Sequence, residues 1–152
     1  MSMLLIAFAL VAPTGVSDEA RSSPDVTCTV SVVALDGHGH ERSARWVSAG
    51  RAPAIVFRGR VSPQEAEAPP LLFDVFNPHG QRYQVLVATP SVVTQGHGGH
   101  RIERSTRTRE ASMAVAGSSI AWTSMYGRWR VQPRVEGASQ PCGRPEFFTI
   151  RP

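Results

Sequence analysis

From Val26 to Leu35 apolar and polar residues alternate. Val26, Cys28, Val30, Val32 and Ala34 share one side, and Thr27, Thr29 and Ser31 share the other. A period of two is the mark of a strand with one buried face, so this stretch predicts a strand that ends at Gly37–Gly39. Ala54 to Arg58 predicts a second, shorter strand, followed by a Pro-rich acidic loop from Ser62 to Pro70. Leu71 to Phe76 and Tyr83 to Ala88 flank Asn77-Pro78-His79-Gly80. Asn first, Pro second and Gly fourth is the signature of a type I turn, because Pro presets φ and Asn bonds the nearby backbone. The hairpin is expected to set Phe73 and Val75 against Tyr83, Val85 and Val87 on one face.

The Gly-containing stretch Ser91 to Arg104 reads as a loop. Ala111, Met113 and Val115 alternate with polar or small residues up to Gly117 and read as a strand, whereas Ser118 to Met125 has no clean period. The sharpest segregation comes next. Trp129, Val131, Pro133 and Val135 alternate with Arg128, Arg130, Gln132 and Arg134. Pro133 lacks a ladder donor, which places this strand at an edge or a bulge there. Phe147 to Ile150 is expected to be the last strand. Apolar residues never recur at helical spacing over three turns. About seven short strands between Gly, Pro and Asn turns predict an all-β sandwich or barrel.

The N-terminal pattern differs. Leu4 to Ala12 is an unbroken apolar run of nine residues, against the ~20 needed to cross a bilayer. Small and turn-forming residues follow, as in a secretory signal. The expected organisation is a signal peptide over residues 1–19 and one β-domain over 20–152, secreted or periplasmic, with no stable transmembrane segment after cleavage. No Arg precedes the run; a basic start upstream is one reading of that. Cys28 and Cys142 then form a pair, and in an oxidising compartment two cysteines allow one disulfide. The other reading is two buried thiols. All 16 basic residues of the 152-residue chain are Arg, facing 12 acids. Losing Asp18 and Glu19 with the signal leaves a more basic chain, which favours loose association with anionic surfaces.

Three stretches carry a resemblance: the hairpin FDVFNPHGQRYQVLVA, AVAGSSI leading to SMYGRWRV, and the ending VEGASQPCGRPEFFTI. Together they resemble bacterial secreted proteins built on one immunoglobulin-like sandwich, in the broad group that includes macroglobulin and fibronectin type III domains. The resemblance implies a single immunoglobulin-like antiparallel sandwich of about seven strands. It implies no catalytic residues. The cysteine spacing of antibody domains is missing.

Candidate chemistry is sparse. His38 with His40, and His97 with His100, sit in Gly-rich stretches at spacings that supply two imidazoles each. If the two loops met, four ligands would be available to Zn²⁺ or Cu²⁺; solvated loop residues are the plainer reading. A type 1 copper site is excluded because no His follows Cys142. Arg101, Arg104, Arg107 and Arg109 form a basic stretch able to attract an anionic ligand, although Glu103 and Glu110 dilute it. Arg107 and Arg109 share parity with Ala111 and Met113, so either the strand starts after Arg109 or a bulge resets its faces. Trp129 lies on the core parity, and Trp46 is the best candidate for an exposed ring. The Gly-x-Ser-x-Gly elbow, Walker loop and His-Glu-x-x-His motif are all missing. The expected function is a non-catalytic secreted or periplasmic binding or structural module, with no cofactor and no nucleic acid. Its expected partner is an unknown protein or a cell-surface or anionic polymer. The alternative is a small extracytoplasmic Zn/Cu-binding protein using the two His loops.

Overall fold

The computed structural model describes residues 26–62, 69–97 and 100–152, with backbone alone for 92–97 and 100–106. The expected signal peptide and most of the acidic loop lie outside the described residues. The chain is all-β. Its strands are β1 (Thr27–Leu35), β2 (Glu41–Ser43), β3 (Trp46–Ser48), β4 (Ala54–Ser62), β5 (Leu71–Phe76), β6 (Arg82–His97), β7 (His100–Ala114), β8 (Gly127–Val135) and β9 (Glu146–Arg151). A single helical turn, α1 (Ser119–Trp122), is capped by the Ser118 hydroxyl, which accepts from the Ile120 N–H.

The nine strands pair in the order β2-β1-β4-β7-β6-β5-β8-β9-β3. Strand β6 is the turning point. Its first half pairs with β5 and its second half with β7. The outermost strands, β2 and β3, follow one another in sequence with only Ala44 and Arg45 between them. One sheet therefore folds over itself until its two edges are joined by two residues, where about seven strands in a sandwich were expected. Nearly all pairs are antiparallel; β3 joins β9 in parallel.

Both halves bury the same core. Phe57 of β4 packs on Phe73 of β5 and Phe148 of β9, with ring centroids 5.9 and 5.8 Å apart. Phe148 lies 6.1 Å from Trp129, and Tyr83 meets Trp129 edge-on at 5.2 Å. Phe57, Phe73, Trp129, Ile55, Leu71, Val75, Val131 and Ile150 are completely buried. The Trp129 indole N–H is satisfied by the Met125 carbonyl at 3.1 Å.

Several expectations meet this structure directly. The turn over Asn77–Gly80 is present. The Gly80 N–H donates to the Asn77 carbonyl at 2.9 Å, and Asn77 Oδ1 accepts from His79 and Gln81. Gly80 takes φ +78°, a left-handed conformation that favours glycine there. The facing residues differ from expectation, however. Val75 pairs with Gln84 but Phe76 pairs with Arg82, so Tyr83 is an extra residue. One inserted residue reverses the faces on either side of it. Tyr83 joins the core, while Val85 and Val87 point outward, 40% and 59% exposed.

The stretch read as a loop, Ser91 to Arg104, is mostly paired backbone in the β6–β7 hairpin. Alternation is the signal of a half-buried strand, and this stretch, with Val92 and Val93 adjacent and Ile102 alone among polar residues, shows none in its sequence. Strand β7 starts at His100, so it does not begin after Arg109. The ladder is irregular between Pro90 and Val92, whose partners are Arg109 and Ser105. At Pro133 the expected local edge is real. Strand β9 accompanies β8 only as far as Val131, and the Pro133 carbonyl instead accepts from the Cys142 N–H at 3.1 Å.

That last bond belongs to a clamp. Cys28 and Cys142 form the disulfide, with Cα atoms 5.1 Å apart at a sequence separation of 114. The Cys28 N–H donates to the Cys142 carbonyl at 2.7 Å, and Gln132 Nε2 donates to the Gly143 carbonyl at 2.7 Å. A Cβ on Gly143 would stand 2.1 Å from the Cys28 carbonyl oxygen, a contact backbone cannot yield cheaply. Two outcomes follow. Replacing either cysteine with Ser is expected to cost about 2–5 kcal/mol in urea unfolding. Gly143→Ala should lower stability while the disulfide stays intact by non-reducing peptide mapping. Two alkylatable thiols in the native protein would contradict the clamp.

Candidate ligand-binding face

Alternation along β8 sends Trp129, Val131, Pro133 and Val135 inward, and therefore sends Arg128, Arg130, Gln132 and Arg134 outward. The neighbouring strands supply aromatic rings to the same outer face. The Arg130 guanidinium lies 4.1 Å above the ring of Phe76, its direct partner on β5. Arg128 lies 4.1 Å above Phe147, diagonal to it on β9. Arg151 of β9 lies 3.7 Å above Trp46 of β3. Trp46 and Phe147 remain 54% and 45% exposed. Each such pair contributes about 0.5–1 kcal/mol at an exposed site, and its larger effect is to restrict a long, mobile side chain. Four strands thus present three guanidinium groups laid on rings.

One carboxylate anchors the far side of this face. Asp74, buried on the outer side of β5, accepts from Arg134 Nε at 2.8 Å and Nη2 at 3.3 Å, with Arg82 at 3.9 Å. The fork geometry is that of a paired guanidinium and carboxylate. The hydrogen bond to Asp74 holds Arg134 above its ordinary pKa. Arg134 also donates to the Ala138 carbonyl at 3.2 Å.

The opposite half of the sheet has a different outer face. There Arg58 lies between Glu110, 2.6 Å from its Nε, and Glu41, which takes both terminal nitrogens. Glu41 is held below its ordinary pKa chiefly by that hydrogen bond, and Arg58 is raised correspondingly. Arg60 Nε donates to the Thr108 hydroxyl at 3.3 Å. Arg58 here is matched by two acids, whereas Arg128, Arg130 and Arg151 lie on rings.

The sequence candidates are dispersed. His38 and His40 are exposed in the turn after β1, with ring centroids 6.1 Å apart. Their backbone N–H groups both donate to Asp36 Oδ1 at 2.9 Å, and Arg42 Nε donates to Oδ2 at 3.2 Å. These bonds, with that to His40 the largest influence, lower the Asp36 pKa. His97 and His100 are paired in backbone register, and their side chains lie outside the described residues. Register separates the two motifs. Leu35 pairs with Ala54 and Ala54 with Ala114, so β7 runs from that end past Arg109 toward His100. The backbone register therefore sets the His38 turn and the His97 hairpin toward opposite ends of this half of the sheet. Among the described residues, no three His, Cys, Asp or Glu side chains group as metal ligands. In the basic stretch, Arg107 is exposed and Arg109 Nη1 donates to the Pro69 carbonyl at 3.0 Å, while the side chains of Arg101 and Arg104 lie outside the described residues. Trp129 is structural as expected. Trp46 is exposed as expected, and Trp122 is more so at 82%.

The arginine–aromatic face went unread in the sequence because each guanidinium takes its ring from another strand. The regular Arg-x-Arg of β8 was the available signal, and it marks any solvated strand face equally well.

No family model matches the chain, and no curated protein matches it. Among solved structures, an immunoglobulin-like protein from Pseudomonas aeruginosa is similar to it. The two share 12% sequence identity over 86% of this chain and 99% of that one, with a TM-score of 0.45.

Removing Arg134 would strand the buried Asp74 carboxylate. Arg134→Ala is therefore expected to cost about 2–3 kcal/mol by urea unfolding, and a change within error would contradict the role of this pair. Asp36 and Glu41 have lowered pKa values in the folded chain. The stability they contribute is present above their unfolded pKa values and is lost as pH falls through the folded ones. The melting temperature should accordingly fall below about pH 4. Asp36→Asn should flatten that fall, and an unchanged acid slope would contradict the assignment.

Proposed function

We propose that this protein is a non-catalytic, extracytoplasmic binding module of the immunoglobulin-like sandwich type, and that it holds an anionic polymer along the outer face of β3, β9, β8 and β5. The observation that carries this reading is the set of arginines laid on rings: Arg128 on Phe147, Arg130 on Phe76 and Arg151 on Trp46. Arginine and aromatic residues are the types enriched where surfaces bind partners. A guanidinium resting on a ring keeps its in-plane donors for an incoming carboxylate or sulfate while its plane is already covered. The antiparallel sheet folded over one core supports the sandwich assignment. The Cys28–Cys142 disulfide supports an oxidising compartment, as does the apolar run Leu4 to Ala12. Outside the cytosol the polyanions a protein meets are mainly acidic polysaccharides, and these are the polymers this reading favours.

Retention on immobilised polygalacturonate tests the proposal. The wild-type chain should be retained at low ionic strength and released as added salt screens the contacts. Arg128→Ala with Arg130→Ala should elute much earlier, whereas Arg60→Ala on the opposite face should elute with wild type. Equal retention of all three proteins, or passage of the wild type without delay, would overturn the reading.

A further inference from the structure

A groove of about 530 Å³ opens where β1, β2 and β3 meet, within the ~300–1,000 Å³ of small-molecule sites. It adjoins the arginine–aromatic face at Trp46, which belongs to both. Arg42, Arg51, Ser43, Ser48 and Asp36 also line it. We infer that this groove takes a single acidic pyranose, a sugar ring carrying a carboxylate or sulfate, as the unit by which the chain recognises its polymer. The inference rests on the polymer-binding reading above and adds to it a specific subsite.

The chemistry is complementary. An exposed indole offers a flat apolar surface on which the C–H face of a pyranose packs. Trp46 is more than half exposed although Arg151 lies over its ring. Arginine forms paired hydrogen bonds with planar acids, which fixes orientation as well as charge. Arg42 binds Asp36 through Nε, the edge of the guanidinium rather than its terminal pair. Arg51 is exposed. The charges facing the groove are Arg42, Arg51 and Asp36, with Arg151 over the indole and His40 beside Asp36. Asp36 is the one acid among them. Its carboxylate is occupied by the N–H groups of His38 and His40 and by Arg42. It therefore shapes the turn, and the balance of the groove stays positive. The groove is small beside the face, which separates recognition of one sugar from retention of a long chain.

Short and long probes distinguish the two. Digalacturonate is shorter than the ~14 Å that four strands cover at ~4.8 Å per spacing, and its binding is read by calorimetry and by quenching of tryptophan fluorescence. A heparin disaccharide supplies the sulfated arm, maltotriose the neutral arm and a dT3 oligonucleotide a non-sugar anion. The wild type should bind at least one acidic sugar and neither maltotriose nor the oligonucleotide. Preference between the first two probes identifies carboxylate or sulfate. Arg51→Ala should weaken binding about tenfold, the effect of losing one charge-assisted contact. Arg51→Lys should recover part of it, and Arg60→Ala, on the opposite half of the sheet, should leave it unchanged. Circular dichroism confirms folding of each variant. If neither acidic sugar binds, or maltotriose binds equally, or Arg51→Ala has no effect, the groove assignment is overturned even where the polymer is retained. If the acidic sugar binds but polygalacturonate is not retained, the polymer reading fails instead and the groove stands as a site for a free acidic sugar.

Discussion

Contact across the fold between Phe57 and its partners Phe73 and Phe148 is the interaction on which the rest of the structure depends. It joins β4 to β5 and β9, which belong to opposite halves of the sheet, and the line of rings continues through Trp129 to Tyr83. A strand with one buried residue must expose the next. Burying Trp129 and Val131 therefore forces Arg128 and Arg130 outward, and burying Phe148 and Ile150 does the same to Phe147 and Arg151. The outer face is the reverse side of the core.

Closure keeps that face in place. Strands β2 and β3 end the sheet on opposite sides yet are joined by Ala44 and Arg45, and Ala44 is buried. The short link delivers Trp46 to β9, where Arg151 covers it. At the other seam the loop before β9 is tied to β1 by the disulfide and the Cys28 N–H, and to β8 by the Cys142 N–H, which donates to the Pro133 carbonyl. Long-range cross-links of this kind reduce the freedom of the unfolded chain. They suit a small domain whose sheet would otherwise have two open edges.

The legible parts of the fold were those where burial imposes a period. Strands β1, β5, β8 and β9, the Asn77–Gly80 turn, the Cys28–Cys142 pair and the burial of Trp129 all follow from local pattern or counting. The three-residue strands β2 and β3 are too short to show a period, and their pairing is set by distant partners. The Ser91–Arg104 stretch shows no apolar alternation in its sequence. Val85 and Val87 were assigned inward because an inserted residue, Tyr83, leaves no mark in the alternation around it. The binding face was the least legible, since Arg130 finds Phe76 across 54 residues and Arg151 finds Trp46 across 105, distances no local window spans.

Hydrogen exchange on the native protein addresses the central claim, that the two halves of the sheet stabilise one another through a shared aromatic core. Amides in β1 and β4 and amides in β5 and β8 should exchange through one opening with the free energy of global unfolding. Phe57→Leu should lower both sets by the same amount. Exchange of β5 and β8 at an unchanged free energy, while β1 and β4 open more readily, would contradict it.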